Sequence, residues 1–508
     1  MNIDAFLEEK FGSFAESFSA IIFFEIPLFG THIPVIVTWI VVCGLFFTVK
    51  LRALNLRGMK HACDLVRGKF PQPNAPGEAT HFQALATAVS STVGLGTIAG
   101  VAIAITVGGP GAVFWMFIAG FFAMSTKMAE CLLGVAFRRI SDGKISGGPM
   151  YYLKSGLAHM GHRKLGAFLA AGWAACMMIA AMGTNAFQSN QATAQLVSIA
   201  AGSAAGDFLA SNKWVIGVVL AVFAGAVIIG GVRSIAKAAG VLVPLMTVFY
   251  FMACAVVLLV NITELPGALM LILSEAFKMD SATGGAIGAL IIGFQRATYA
   301  NSAGVGDAPI AHSIVKTNRP ATEGLVAGLE PFADTVILCS ITALTIVVTG
   351  AWNDPANVGA DGVVITSNAF ASAVSWFPYV LTVAVVLFAF TTIMSNSYYG
   401  MKAFCYFFKD NPIAETVYKC FFLCFTVIGA AVSLDPVISF ADSMFFLMAV
   451  FNVIGLYLMS GLIKREFIDY WQLYTSGKLD LESMTAPKDI TEMLDARYEV
   501  PLEIVSRK

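Results

Sequence analysis

Eleven apolar stretches recur along this chain, each long enough to cross a hydrocarbon core of about 30 Å, which takes about 20 helical residues. They lie near 33–49, 82–107, 112–137, 165–200, 214–232, 238–260, 283–305, 322–349, 375–401, 414–432 and 437–461. In lipid the backbone must satisfy its own hydrogen bonds, so runs of this length fold as helices. The expectation is an all-α polytopic membrane protein of 11 transmembrane helices. The first is an accessory N-terminal span, and the others form a core at 82–461, numbered here core helices 1 to 10. Composition agrees: 57% of the residues are hydrophobic and 12% charged, against about 25% charged in soluble domains. A net charge of −1 gives no field that would draw nucleic acid. The nine cysteines form neither a C-x-x-C pair nor a mixed cluster with histidine, which argues against zinc and against a disulfide framework. Cys420 and Cys424, one turn apart, read as buried small apolar residues.

Basic residues place the termini. The connection after the accessory span carries Lys50, Arg52, Arg57, Lys60, Arg67 and Lys69, and the one after core helix 2 carries Arg138, Arg139, Lys144, Lys154, Arg163 and Lys164. Lys316, Arg319, Lys402 and Lys409 fall on the same side, whereas the other side has only Lys10, Lys213 and Lys278. Basic loops stay cytoplasmic, so residues 1–32 are expected outside and the tail 464–508 inside a bacterial or archaeal cytoplasmic membrane. The N-terminus opens with Asp4, Glu8 and Glu9 rather than a basic cluster, which is not a secretory signal. Residues 1–20 read as an amphipathic surface helix.

Core helix 1 contains SSTVGLGTIAG, with Ser90, Ser91, Thr92, Gly94, Gly96 and Thr97 at mid-depth. Two explanations stay open: close packing through small residues, or a helix broken to offer backbone groups to a solute. A break would leave N–H groups near Leu95 and Gly96 for a carboxylate, and carbonyls near Ser90 and Val93 for a cation. The G-x-G-x-x-x-G spacing follows no strand and is not a dinucleotide fingerprint. Core helix 6 holds Gln295, Arg296, Thr298, Tyr299, Asn301 and Ser302, then Gly304 and Gly306. A second interrupted helix five spans after the first fits an inverted repeat of five plus five. Arg296 reads as an ion-pair or gate residue, or as a substrate contact. In core helix 8, Thr391 and Thr392 lie one turn after Phe388, so two hydroxyls and a carbonyl can converge as neutral oxygens around Na+; hydroxyls bonded back to their own helix are the other possibility. Asn185, Gln188 and Asn190 of core helix 3 fit a pocket wall or interhelical hydrogen bonds. Lys127 and Glu130 are expected to neutralise each other or nearby partners, while Asp334 and Asp442 are buried-acid candidates for a proton. The six histidines lie at span edges or in loops, where solvation is the default. No catalytic constellation or metal-ligand spacing occurs, which argues against an enzyme.

Four blocks carry a family likeness: GLFFTVKLRALNLRG, FQALATAVSSTVGLGTIAGVAIAITVGGPGAVFWM, ISGGPMYYL and GFQRATYANSAGVGDAPIAH. They resemble the alanine/glycine:cation symporter family over roughly residues 40–460. The resemblance implies a carrier with a leucine-transporter-like inverted repeat and discontinuous core helices 1 and 6. It implies uptake of a small neutral amino acid, alanine or glycine above all, coupled to Na+ as the co-transported ion and with no further cofactor. It assigns the cation to the carbonyls of Ser90, Val93 and Phe388 and the hydroxyls of Thr391 and Thr392. The substrate carboxylate would sit at Gly94, Leu95 and Gly96, and Asn185 matches a family asparagine. Gln188, Gln295, Tyr299 and Asn396 complete the expected substrate set. The chain departs from the family pattern at Thr97 (usually Asn), Ser302 (usually Glu), and Ser395 and Asn396 (usually Gly and Trp). Asn396 in place of a tryptophan predicts a larger, more polar cavity, suited also to glutamine. A proton-coupled carrier using Asp334 or Glu130, a channel and a membrane sensor are the alternatives.

Overall fold

The computed structural model describes residues 13–479 except 29–30, 73–74, 142–143, 279–284, 409–410 and 433. Most of the expected N-terminal surface helix and tail therefore lie outside the described residues. What is described of the first is a helix, Ser13–Ile22, and of the second a helix, Ser460–Thr475. Two short antiparallel hairpins were not foreseen: Glu25–Leu28 with Thr31–Pro34, and Arg139–Ser141 with Lys144–Ser146. Apart from one isolated bridge between Ala79 and Val315, the other described residues are helical or loop.

Among the described residues, seven helices are long and apolar enough to cross a membrane, or up to nine if each of two bent pairs counts as one span. Two further expected spans are present as Val35–Lys50 and Gly285–Asn301, of 16 and 17 residues, shorter than the length of a full crossing. Two short apolar helices, Leu265–Phe277 and Gly362–Ala373, fall between the expected spans. Gly362 packs where a side chain would stand 2.5 Å from the Ala99 carbonyl, which sets the second of these directly against core helix 1.

Core helix 3, Arg163–Ala200, is the central post, packed along core helices 8, 9 and 10. Small residues make those contacts close, as in membrane helix pairs generally. A Cβ on Gly429 of core helix 9 would lie 2.4 Å from the Ala186 backbone, and one on Gly400 of core helix 8 would lie 1.8 Å from the Tyr418 hydroxyl. Core helix 9 buries Tyr418, Phe422, Thr426 and Gly429 on one stripe. Cys420 and Cys424 lie on its other side and are exposed, against the sequence expectation. Two residues along a helix rotate the side chain by about 200°, which takes both thiols off the packed face. Large apolar side chains such as Val241, Leu245 and Val248 of core helix 5 likewise point outward, as a lipid-facing surface requires.

Candidate functional site

Thr80 starts core helix 1 with a capping box to Gln83. The α-helix runs His81–Thr92 and stops because Val93, at ψ 83°, turns its peptide out of the helical line. It resumes at Gly96–Gly108, bent by 54° from the first half, and begins with a π turn at Gly96–Gly100. The Leu95 N–H donates to Gln188 Oε1 at 2.9 Å. Gly94 is the point of closest approach to core helix 8: a Cβ there would lie 2.5 Å from Thr392 Oγ1 and 3.1 Å from the Gln188 amide.

Core helices 1 and 8 are joined along this line. Ser90 Oγ contacts Ser395 Oγ and donates to the Thr87 carbonyl at 2.9 Å, and Ser91 reaches the Tyr399 hydroxyl at 3.3 Å. Thr391 Oγ1 donates to the Phe388 carbonyl at 3.1 Å. Thr392 Oγ1 is fully buried and has no hydrogen-bond partner among the described residues. A buried hydroxyl left so is costly, and an oxygen ligand for a cation is one way to satisfy it. Ser90, Val93, Phe388, Thr391 and Thr392 are all fully buried.

A small cavity of about 10 Å³, room for about one water, lies beside the break, between core helices 1, 3, 6, 8 and 10. Gly96, Gln188, Tyr299 and Asn396 line it, with Ser91, Thr92, Thr184, Ser302, Asp307 and Phe445. Asn396 also donates to the Thr392 carbonyl of its own helix at 3.1 Å. Two expected substrate residues stand elsewhere. Asn185 donates to the Phe422 carbonyl at 2.6 Å and accepts from Thr426 at 3.0 Å, tying core helix 3 to core helix 9. Asn190 is likewise spent on the Val432 carbonyl at 2.7 Å. Gln295 lines a second, more open cavity of about 330 Å³ with Ser19, Glu25, Arg296 and Asp442. One helical turn separates it from Tyr299, enough to lift it about 6 Å out of the pocket. There Arg296 pairs with Asp442 at 2.9 Å, so these two charges account for each other.

Core helix 6 is interrupted after its polar run, as expected from the glycines that follow it. It ends at Asn301, whose side chain caps the Ala303 N–H at 3.0 Å. Ser302, Gly304 and Gly306 then take φ values of 56°, 91° and 88°, a left-handed run that only glycine tolerates cheaply. A short helix follows at Pro309–His312. Core helix 7 carries a π segment, Phe332–Cys339, that holds Asp334. Thr97 Oγ1 donates to Asp334 at 2.6 Å and Thr335 Oγ1 at 3.1 Å. Asn301 in turn donates to Thr335 at 3.0 Å. Paired π segments of this sort concentrate at functional sites.

Of the two expected ways of neutralising Lys127 and Glu130, the structure has nearby partners rather than each other. Lys127 does not pair with Glu130. It lies 3.3 Å from both Asp307 and Glu330, and Glu130 instead accepts from Asn452 at 2.7 Å. The i, i+3 spacing puts both on one helix face, but different neighbours meet them there. Two histidines are buried rather than solvated, His61 against the Tyr470 hydroxyl at 2.7 Å and His312 against Glu323 at 2.6 Å, and a third, His81, is partly buried against the same Glu323. Asp307, Glu323 and Glu330 were missed from sequence. A usable signal was present: Glu323, Glu330 and Asp334 recur at i, i+7 and i+11 of one apolar helix, which is one buried face.

The profile of the Sodium:alanine symporter family matches residues 19–483. The sodium/alanine symporter AgcS of Methanococcus maripaludis is 38% identical over 430 residues, 83% of this chain and 91% of that protein. A probable sodium/glutamine symporter of Bacillus subtilis, GlnT, is 32% identical over 439 residues, covering 86% and 87%. Among solved structures, MhsT in complex with L-phenylalanine superposes with a TM-score of 0.52 at 17% identity, over 82% of this chain and 95% of that one. That likeness concerns the fold alone. A membrane protein of many apolar helices, with a polar cavity at a helix break and these relatives along most of its length, belongs to the sodium:alanine symporter family of amino-acid symporters.

Proposed function

We propose that this protein couples Na+ entry to uptake of a small neutral amino acid, alanine or glycine first, by alternating access. The eleven spans would form an accessory helix plus a five-plus-five inverted repeat, with the N-terminus outside and the C-terminus in the cytoplasm. The observation that carries the reading is the buried, unpartnered Thr392 hydroxyl facing the Gly94 break. A cation held there would pin core helix 1 to core helix 8. That would shape the pocket in which helix-end N–H groups meet the substrate carboxylate. Each ligand then favours the other's bound state, and the coupling is reciprocal.

A second reading keeps the carrier and enlarges the substrate to a polar amino acid such as glutamine. The pocket is lined by Ser91, Thr92, Thr184, Gln188, Ser302 and Asn396, with the rings of Tyr299 and Phe445 as its apolar part. A side-chain amide would find hydrogen-bond partners among the six polar residues. The test is a panel of labelled neutral amino acids taken up by proteoliposomes under an imposed Na+ or pH gradient. Saturable uptake driven by Na+ supports the reading, and drive by the pH gradient alone removes Na+ from it. Unsaturable flux without coupling would make the protein a channel. Preference for glutamine over alanine, reversed in Asn396→Trp, decides for the polar substrate.

A further inference from the structure

The pocket does not end at Asp307. From that carboxylate a line of ionisable side chains, with one gap of 3.8 Å, runs toward the side where the basic connections gather. Lys127 Nζ lies 3.3 Å from Asp307 Oδ1 and 3.3 Å from Glu330 Oε1. His312 bridges two carboxylates, with Nε2 3.8 Å from Glu330 Oε2 and Nδ1 2.6 Å from Glu323 Oε1. The other oxygen of Glu323 holds His81 Nδ1. His81 is the first residue of core helix 1, and its side chain is 11% exposed, while the rest of the line is buried.

Three properties separate this line from a set of structural ion pairs. It reaches from a substrate-pocket wall to a partly exposed end. Lys127 offsets part of the charge of its carboxylates, Asp307, Glu330 and Glu323, and a neutral imidazole at His312 and at His81 keeps one ring nitrogen free to take a proton while the other gives one up. And its middle is not locked: Glu330 Oε1, Glu330 Oε2 and His312 Nε2 have no hydrogen-bond partner of ordinary geometry among the described residues. A gap of 3.8 Å closes with a small side-chain shift or one bridging water. The groups that face it are Glu130, Cys131 and Tyr152 around Lys127, Tyr399 from core helix 8 and Asp334 one turn beyond Glu330. Arg138 stands near Glu323, but its guanidinium is spent on the carbonyls of Pro76, Ser313, Val315 and Thr317.

We propose that Asp307, Lys127, Glu330, His312, Glu323 and His81 form a proton route between the substrate pocket and the cytoplasm, so that a proton accompanies the amino acid. The proposal rests on the carrier reading above. A proton picked up by Asp307 in the pocket breaks its O–H bond to form an N–H bond on Lys127 as Lys127 gives one of its own to Glu330. Glu330 then delivers to His312 Nε2 while the Nδ1 proton leaves for Glu323. Glu323 passes it to His81 Nδ1, and the other ring nitrogen releases a proton to water. Each transfer makes one bond and breaks one, and every group returns to its starting charge. Intramembrane acids and histidines in file serve proton relay in transporters generally.

The experiment uses the full chain in proteoliposomes with the potential clamped by valinomycin and K+, a pH dye in the lumen and labelled amino acid outside. Wild type should acidify the lumen in proportion to amino acid entry. His312→Gln and Glu323→Gln should lose the acidification while Na+-dependent counterflow exchange of the amino acid persists. His81→Asn, at the exposed end and so the mildest change to the fold, should slow it. Uptake by wild type without acidification overturns the route, as does acidification per amino acid unchanged in all three variants. Loss of exchange together with acidification in all three assigns the line a structural role and also overturns it. Absence of any driven uptake by wild type is a different result: it removes the carrier reading, and this route with it.

Discussion

Gly94→Ala tests the junction between core helices 1 and 8 most directly. The added methyl would stand 2.5 Å from Thr392 Oγ1 and 3.1 Å from both polar atoms of the Gln188 amide. Ordinary contact begins at 3.4 Å, so the hydroxyl must retreat by about 0.9 Å. Threonine is short and β-branched, and Thr392 is fully buried, so it cannot swing aside freely. Overpacking of this kind costs about 1–3 kcal/mol. If that cost falls on the cation-bound state, which needs helix 1 and Thr392 together, the Na+ concentration for half-maximal uptake rises about 5- to 150-fold, at about 1.4 kcal/mol per decade. Gly100→Ala is the matched control on the same broken helix, because a Cβ there meets nothing within 4 Å. It should leave Na+ dependence unchanged and stabilise the helix slightly. The assay is initial uptake into proteoliposomes against graded external Na+, with Thr392→Ala alongside as the direct loss of the oxygen. Gly94→Ala with wild-type Na+ dependence in a folded, transporting protein would refute the placement of the cation at this junction.

Two further outcomes are expected. Arg296→Ala leaves Asp442 buried without its cation, and removing one partner of a buried pair costs about 3–5 kcal/mol. Arg296 keeps 11% side-chain exposure, so a loss of thermal stability at the low end of that range is expected in detergent, partly recovered in the double variant with Asp442→Ala; no recovery would mean that the pair is not the cause. His61, outside the spans, is packed against Tyr474 and hydrogen-bonded to Tyr470, and burial pushes its imidazole down to about 4 despite the opposing charge of Asp64. The free ring takes up its proton near 6.5, before the docked one does. Docking of the Ser460–Thr475 helix should therefore weaken as pH falls from about 6.5 toward 4 and be unaffected above that window. Hydrogen exchange of that helix against pH measures it, and the same trend in His61→Phe would show that another group is responsible.

The pocket was partly legible because the residues that make it break a strong local rule. Glycines and hydroxyls in an apolar run are expensive unless used, and Gly94, Gly96, Thr391 and Thr392 stood out for that reason. Core helix 6 was less legible. Its run of polar residues signalled an interruption, but not that the helix ends at Asn301 and rewinds only after three positive-φ residues. Asn185 and Gln188 differ by less than one turn, yet one meets core helix 9 and the other the Leu95 N–H. Which of two neighbouring amides faces a cavity depends on helix rotation against its partners.

Composition and hydrophobic run length determined by themselves that this chain lives in lipid as helices, and the glycine and hydroxyl pattern determined where one of them opens. Both are local consequences of an apolar solvent acting on each segment separately. The partners of charges were decided only in three dimensions. Lys127 is three residues from Glu130 but pairs with Asp307 and Glu330, which are 180 and about 200 positions away. A buried charge is satisfied by whichever opposite group packing brings within reach, and packing among many helices is a property of the whole assembly.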